Sequence, residues 1–216
     1  MKTLIFDLDG TLVDSEPLCN QAFLNLLPEL DDSLEVLTNR YRGIELKLIF
    51  IDLEKRIGRA LPDDFVESYR AQAAVLFEHE LQVMEGAVET LSRLSHPKCI
   101  ASSGPLAKIN HSLSLTGLDQ FFGYNIFSAY EINSWKPDPG LFLHAAKAMN
   151  VFPCDCIVIE DSEVGLLAAE AAGIQSIHYN PHNIDLCDEL TTARNRTDSH
   201  SIASLSELPE LLATLD

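Results

Sequence analysis

The segment that most constrains this chain is an apolar strand near its N-terminus that ends in two carboxylates. Residues 4–13 read Leu-Ile-Phe-Asp-Leu-Asp-Gly-Thr-Leu-Val, so Asp7 and Asp9 lie where a buried strand emerges. Burying two neighbouring acids costs desolvation energy and sets like charges against each other, so a purely structural strand would carry apolar residues there. The pair therefore predicts a cation and a chemical reaction at this strand end.

Two carboxylates at this spacing suit the hydrolysis of a phosphate ester. Asp7 can attack phosphorus and form an aspartyl-phosphate, which divides one difficult hydrolysis into two easier displacements. Asp9, just past the strand end, can protonate the leaving oxygen and later deprotonate the attacking water. The backbone N–H groups around Thr11 can face an anion, so we predict that Thr11 contributes to substrate binding. The alternative is an ordinary strand followed by an acidic turn.

A second strand candidate ends in small hydroxyl residues and a glycine, in the segment Lys98-Cys-Ile-Ala-Ser-Ser-Gly104. A helical pattern follows, and such a strand-to-helix turn offers a hydroxyl and free helix N-terminal amides to phosphate oxygens. We predict that Ser102, Ser103 and Gly104 bind substrate there. The alternative is that the Ser-Ser-Gly sequence only caps the helix.

A lysine precedes two prolines in the segment Ser134-Trp-Lys-Pro-Asp-Pro139. The prolines restrict the backbone, so Lys136 can present its ammonium to a pentavalent phosphoryl transition state. We therefore predict a catalytic role for Lys136. The alternative is a solvated lysine in a turn, which is the usual environment of lysine.

A further apolar strand ends in paired acids, in Cys156-Ile-Val-Ile-Glu-Asp-Ser162. Mg²⁺ prefers oxygen ligands and keeps several waters, so one or two carboxylates and a phosphate oxygen suffice to hold it. We predict that Glu160 and Asp161, with Asp7 and Asp9 of the first strand, hold Mg²⁺. The alternative is that these acids only complement the N-terminus of the next helix.

These four segments resemble the motifs of the haloacid dehalogenase superfamily, in their order along the chain. Asp-Leu-Asp-Gly-Thr-Leu-Val-Asp-Ser is similar to the first motif in the branch of β-phosphoglucomutase and sugar-phosphate phosphatases. The chain further resembles bacterial 6-phosphogluconate phosphatases in four segments, Arg42-Gly43-Ile44, Trp135-Lys-Pro-Asp-Pro139, His144-Ala-Ala-Lys-Ala-Met-Asn-Val151 and Pro181-His-Asn183. The resemblance implies Mg²⁺-dependent phosphoryl transfer, with Ser102 binding phosphate, Asp161 as a direct metal ligand and Glu160 supporting the metal water shell.

The periodicity of the chain predicts an α/β fold. Apolar strand candidates alternate with helical patterns, which is typical of a parallel sheet whose ligands bind beyond the carboxyl ends of the strands. The strand candidates lie near residues 2–7, 98–103, 125–129, 156–160 and 175–179, and the helical patterns near 104–115, 139–149 and 162–172. All four motifs fall at the strand ends, so they should converge.

Successive helical patterns at residues 15–27, 30–42, 44–58 and 62–81 separate the first strand from the rest. As the resemblance implies, we predict a Rossmann-like catalytic core at 1–14 and 82–216 and an inserted helical cap at 15–81. Specificity should lie in the cap. There Arg40, Arg42, Gly43 and Lys47 form a basic cluster, in which Arg42 and Gly43 match the cap-loop position of the family best. We predict that Arg42 and Gly43 bind a second negative group of a substrate such as a sugar acid phosphate. The alternative is that the charged members of the cluster are simply solvated helix charges.

Two positions depart from the β-phosphoglucomutase pattern, and one of them is Leu46, where that pattern usually has an arginine four residues after the cap-loop basic residue. At the other position that pattern has a histidine, twelve residues after the nucleophile, where this chain has Cys19, and a neutral thiol is a poor substitute for imidazole as a proton shuttle. Both changes favour a phosphatase over a sugar phosphomutase, which is the second hypothesis. The third is a non-catalytic binding or regulatory protein, which the intact acids and lysine disfavour.

The net charge of the chain disfavours two classes of partner. With 15 basic and 33 acidic residues, the chain has a formal charge of -18, which disfavours nucleic-acid backbones and anionic membranes. No apolar run approaches the roughly 20 residues that span a bilayer, and the N-terminus enters a strand rather than a signal peptide. We therefore expect a cytoplasmic monomer whose partner is a small phosphorylated metabolite.

Overall fold

A computed structural model describes residues 1–183 and 200–215 of the chain. Within these residues the strands are β1 Thr3–Phe6, β2 Lys98–Ser102, β3 Ile126–Ser128, β4 Cys156–Glu160, β5 Gln175–Tyr179 and β6 His200–Ile202. They form one sheet in the order β3-β2-β1-β4-β5-β6, and every neighbouring pair is parallel. This topology confirms the predicted α/β fold class.

Helices cover both faces of the sheet, which is why its central strands β1 and β4 are apolar except at their ends. The helices around the sheet are α5 Ala87–Arg93, α6 Leu106–Thr116, α7 Ala129–Ile132, α8 Gly140–Ala148, α9 Glu163–Ala171 and α10 Leu208–Leu215. Side chains alternate along β1, so Leu4 and Phe6 pack with α5, α6 and α10, whereas Ile5 packs with α8 and α9. No helix in the described part of the chain is long and apolar enough to cross a bilayer.

Four more helices lie between β1 and α5, namely α1 Glu16–Leu26, α2 Leu34–Tyr41, α3 Leu46–Ile57 and α4 Phe65–Glu80. They pack around an apolar cluster of their own, in which the rings of Phe23 and Tyr69 stack with centroids 4.5 Å apart. The helix predicted from residue 30 begins only at Leu34, because the Ser33 hydroxyl accepts a hydrogen bond from the Val36 amide at 3.3 Å and caps the helix there.

The chain enters and leaves this group of helices along two adjacent segments. Val13 and Val83 form an antiparallel bridge, and the Asp14 amide donates a hydrogen bond to the Gln82 carbonyl oxygen at 2.9 Å. The two segments therefore run side by side where they join the part of the chain that carries the sheet.

We expect Ile5→Ala to lower the free energy of unfolding by about 2–5 kcal/mol, because the side chain is fully buried in the central strand and its loss leaves a cavity. Urea denaturation measures this change. As a control, Leu48→Ala on α3, where the side chain is 54% exposed, should change the same quantity by no more than about 0.5 kcal/mol. Equal costs for the two variants would contradict the assignment of Ile5 to the core.

Candidate active site

Three neighbouring strands bring the predicted residues to one edge of the sheet. Asp7 follows β1, Ser102 ends β2 on one side of it, and Glu160 and Asp161 come at the end of β4 on the other side. Because the strands are parallel, these carboxyl ends meet. The convergence expected from the sequence is therefore a property of the fold.

Lys136 joins the acids of β1 and β4. Its Nζ donates a hydrogen bond to Asp7 Oδ1 and another, of 2.6 Å, to Glu160 Oε2, and all three side chains are buried. Burial alone would lower the pKa of Lys136, but the two carboxylates outweigh it and raise that pKa, so the ammonium stays charged. Burial, Glu160 and Asp9 raise the pKa of Asp7, against the opposing effect of Lys136.

Glu160 is held by the start of α9 as well as by Lys136. The Ser162 amide and hydroxyl donate hydrogen bonds of 3.0 and 2.7 Å to Glu160 Oε1, which leaves Oε2 to face Lys136. The carboxylate thereby folds back over the first turn of α9. A Cβ atom at Gly165 would lie 2.0 Å from Glu160 Cδ, so this fold-back requires glycine at position 165.

Asp7, Glu160 and Asp161 form a buried acidic group. One ligand atom from each lies within 4.8 Å of the others. Thr11 Oγ1 donates a hydrogen bond of 2.8 Å to Asp161 Oδ1, whereas Asp161 Oδ2 is buried and has no partner among the described residues. Burial and the neighbouring acids raise the pKa of Asp161. An unpartnered oxygen in an all-oxygen group of like charges fits a hard divalent cation such as Mg²⁺.

The turn that follows Asp9 depends on Gly10. Its φ is +84°, a left-handed conformation that other residues rarely adopt, and a Cβ atom there would lie 2.4 Å from Asp161 Oδ2. The glycine therefore lets the first strand's turn approach the unpartnered oxygen of the acidic group.

Asp9 points away from this group and contacts a different cation. Lys108 Nζ on α6 donates a hydrogen bond of 2.6 Å to Asp9 Oδ1, and Ser15 and Ser102 also donate to this carboxylate. Burial would raise the pKa of Asp9, but Lys108 and Ser15 more than compensate, so the pKa lies below its ordinary value. The carboxylate of Asp9 is not part of the acidic group formed by the described residues, and its role as a metal ligand stays a prediction.

Lys108 was not predicted from the sequence, although a signal existed. It lies in the first turn of α6, where the helix dipole disfavours a cation, so it needs a compensating anion nearby. Asp9 supplies that anion. A lysine at this place in a helix that follows a phosphate-binding candidate therefore indicates a partly buried ion pair.

The predicted phosphate-binding residues divide into two groups. Ser103 and Gly104 line the cavity described below, and the Ser102 hydroxyl, which is buried, accepts a hydrogen bond from the Gly104 amide at 3.0 Å. Thr11, in contrast, is completely buried and its hydroxyl is committed to Asp161. The Thr11 side chain therefore supports the acidic group, and the contribution of Thr11 to substrate binding stays a prediction.

A cavity of about 800 Å³ lies between this edge of the sheet and helices α1–α4. Asp7, Asp9 and Glu160 line part of it, together with Lys108 and Lys136. Aromatic residues from both sides, including Phe23, Tyr69, Tyr130 and Trp135, line much of the remainder. A space of this size holds a small organic substrate and is larger than a phosphate ion needs.

The loop between α2 and α3 brings Gly43 to the cavity, whereas Arg42 is engaged elsewhere. Arg42 Nε lies 3.4 Å from Glu16 Oε2, and the Gly43 amide donates a hydrogen bond to the same carboxylate. Burial raises the pKa of Glu16 to about 7, against the opposing effect of Arg42. The structure therefore does not place the Arg42 guanidinium in the cavity wall, where direct substrate contact would require it.

Comparison with known proteins assigns the chain to a family. The sequence profile of haloacid dehalogenase-like hydrolases matches residues 1–173. The chain belongs to this family. It is therefore a hydrolase, as the motifs predicted.

Among its relatives in the haloacid dehalogenase-like family, a 6-phosphogluconate phosphatase of Escherichia coli strain K12 is 38% identical over 98% of this chain and 94% of its own length. A phosphorylated carbohydrates phosphatase of Thermotoga maritima is 27% identical over 86% of this chain and 88% of its own length. A solved haloacid dehalogenase-like protein of unknown function from Agrobacterium tumefaciens, 30% identical, superposes with a TM-score of 0.84 over 100% of this chain and 99% of that protein.

We expect Gly165→Ala to lower the free energy of unfolding by about 1–3 kcal/mol, because the added methyl group overlaps Glu160. This sign is opposite to the usual gain of about 1 kcal/mol when alanine replaces glycine within a helix. Urea denaturation of the two single variants and the double variant gives the coupling free energy between positions 160 and 165. In a Glu160→Ala background the cost should largely vanish, and an equal cost in both backgrounds would show that the contact with Glu160 is not its cause.

Proposed function

We propose that this chain is a Mg²⁺-dependent phosphatase that hydrolyses small sugar or sugar-acid phosphates through a phosphorylated Asp7. The observation that carries the proposal is the contact of Lys136 with Asp7 beside the acidic group, at the end of a cavity that admits a small substrate. The names of the similar phosphatases support sugar phosphates as the substrate class, and 6-phosphogluconate is the first substrate to test.

The residues divide the reaction between them. Asp7 Oδ forms a bond to phosphorus while the bond from phosphorus to the ester oxygen breaks. Asp9, protonated from solvent once the anionic substrate has drawn Lys108 away, gives that proton to the leaving oxygen. In the second step water attacks the phosphorus, Asp9 takes a proton from the water, and the bond to Asp7 breaks. Because an anionic substrate competes with Asp9 for Lys108, substrate binding loosens the contact that holds Asp9 ionised.

Positive charge is supplied by Lys136 and by the metal site. The Lys136 ammonium lies against Asp7 and can follow the negative charge that moves onto the phosphoryl oxygens. Asp7 and Asp161 would hold Mg²⁺ with Glu160 in support, and bound Mg²⁺ supplies electrostatic stabilisation of those oxygens. Thr11 orients Asp161 for this purpose through its hydrogen bond.

We infer that residues 15–81 act as a cap over the core formed by 1–14 and 82–216. The four helices have an apolar cluster of their own, and the two connecting segments run side by side at Val13 and Val83. A rotation about the paired segments at Val13 and Val83 would open and close the cavity without disturbing the apolar packing within the four helices or on the two faces of the sheet. Closure would exclude bulk water from the phosphorylated Asp7 until a positioned water reacts.

Cys19 favours hydrolysis over transfer of phosphate to another sugar hydroxyl. It lines the cavity on α1 and is a hydrogen-bond partner of Tyr69. Burial raises the pKa of the thiol, so it stays neutral and is a weak proton carrier. A mutase needs a group that holds and deprotonates the accepting sugar, and Cys19 is poorly suited to that task.

We expect Asp7→Asn to reduce phosphate release to below about one thousandth of the wild-type rate, because it removes the attacking oxygen. Circular dichroism should show that the variant still folds. Asp14→Asn, which changes an exposed acid in the same segment, serves as the matched control and should retain activity. Turnover by the Asp7 variant near the wild-type rate would refute the proposed nucleophile.

We expect EDTA to abolish phosphate release and added Mg²⁺ to restore it, because the acidic group holds the metal. Asp161→Asn should raise the Mg²⁺ concentration needed for half-maximal activity about tenfold or more. A titration of activity against Mg²⁺ measures both effects. Activity indifferent to chelation would contradict the metal site.

A further inference from the structure

Of the described side chains that line the cavity, four are lysine or arginine, and two of these already neutralise acids of the reaction centre. Lys136 and Lys108 are the two committed cations. Lys47 and Arg70 are the other two, and neither forms a salt bridge with a side chain in residues 1–183 or 200–215. Among the described residues that line the cavity, Lys47 and Arg70 are therefore the cations without a salt-bridge partner, and Glu16 and Glu45 line it as well.

Arg70 is positioned by aromatic rings that lead back to the reaction centre. It projects from α4, and its guanidinium carbon lies 5.8 Å from the centroid of the Tyr130 ring. Tyr130 meets Trp135 edge to face, with centroids 5.3 Å apart, and Trp135 directly precedes Lys136. Two rings thus separate Arg70 from the lysine that contacts Asp7, and all of these residues line the cavity.

The arginines that the sequence suggested for this task have other partners. Arg40 makes a bidentate contact with Asp52, at 2.7 and 2.9 Å, and Arg42 lies against Glu16. Of the arginines in the part of the chain that the structure describes, Arg70 therefore remains as the one whose guanidinium can give its donors to a ligand in the cavity.

A guanidinium over an aromatic ring keeps its N–H groups in its own plane, where they can bind a planar carboxylate through two parallel hydrogen bonds. We propose that Arg70 is a specificity-determining residue that binds the carboxylate at the end of a sugar acid phosphate remote from its phosphate. Lys47 adds positive charge on the α3 side. The inference rests on the phosphatase function proposed above, and it assigns the recognition of the second negative group to α4.

Two substrates that differ at one carbon test this assignment. 6-Phosphogluconate and sorbitol 6-phosphate are open six-carbon chains, the first with a carboxylate and the second with a CH₂OH group at carbon 1. We expect Arg70→Gln to lower the ratio of kcat/KM for the acid to kcat/KM for the polyol by about tenfold or more, mainly through KM for the acid. Arg70→Lys keeps the positive charge but loses the planar guanidinium with its paired N–H donors, so it should lower the ratio less.

Arg59→Gln is the matched control, because Arg59 pairs with Glu29 and does not line the cavity, and it should leave the ratio unchanged. If Arg70→Gln lowered kcat/KM equally for both substrates, the inference would be overturned. Arg70 would then serve only to hold α4 against Tyr130. A wild-type protein that hydrolyses p-nitrophenyl phosphate but not 6-phosphogluconate would also overturn the inference. Failure to hydrolyse any phosphate ester with Mg²⁺ present would instead refute the phosphatase function.

Discussion

The buried ammonium of Lys136 allows two carboxylates to lie close together at the carboxyl edge of the sheet. Asp7 and Glu160 lie at the ends of adjacent strands, where burial and the neighbouring carboxylate raise the pKa of Asp7 against the effect of Lys136. Lys136 stabilises both carboxylates, and they keep it charged in turn. Because a buried charge is strongly destabilising without its partner, the loop that carries Lys136 must pack against the sheet for either strand end to keep its acid.

The charge balance also explains what the centre can bind. Lys136 compensates part of the negative charge, and one oxygen of Asp161 has no partner within residues 1–183 and 200–215. The second lysine, Lys108, is occupied by Asp9 on the other side of β1. Asp7 therefore lies in the acidic group with Asp161, whereas Asp9 forms a separate ion pair with Lys108. Different roles for Asp7 and Asp9 require such different environments.

The location of the site was predictable from the sequence, whereas the partners of individual side chains were not. Asp7, Ser102 and Glu160 each end an apolar strand, and parallel strands in one sheet bring such ends together whatever the strand order. The four helices after β1 were likewise visible in their periodicity. The strand β6 is only three residues long and gave no periodic signal. The hydroxyl of Thr11 and the guanidinium of Arg42 act through contacts across the fold, to Asp161 and Glu16, which local sequence does not encode.

The paired crossing at Val13 and Val83 has a consequence for how such enzymes diversify. An insert whose two ends meet at one place can be lengthened, rebuilt or exchanged as a unit, because the strands on either side of the junction keep their hydrogen-bonded neighbours. Substitutions in the helices can then change the lining of the cavity while Asp7, Lys136 and Glu160 keep their contacts with one another. One catalytic scaffold can in this way acquire many metabolite preferences.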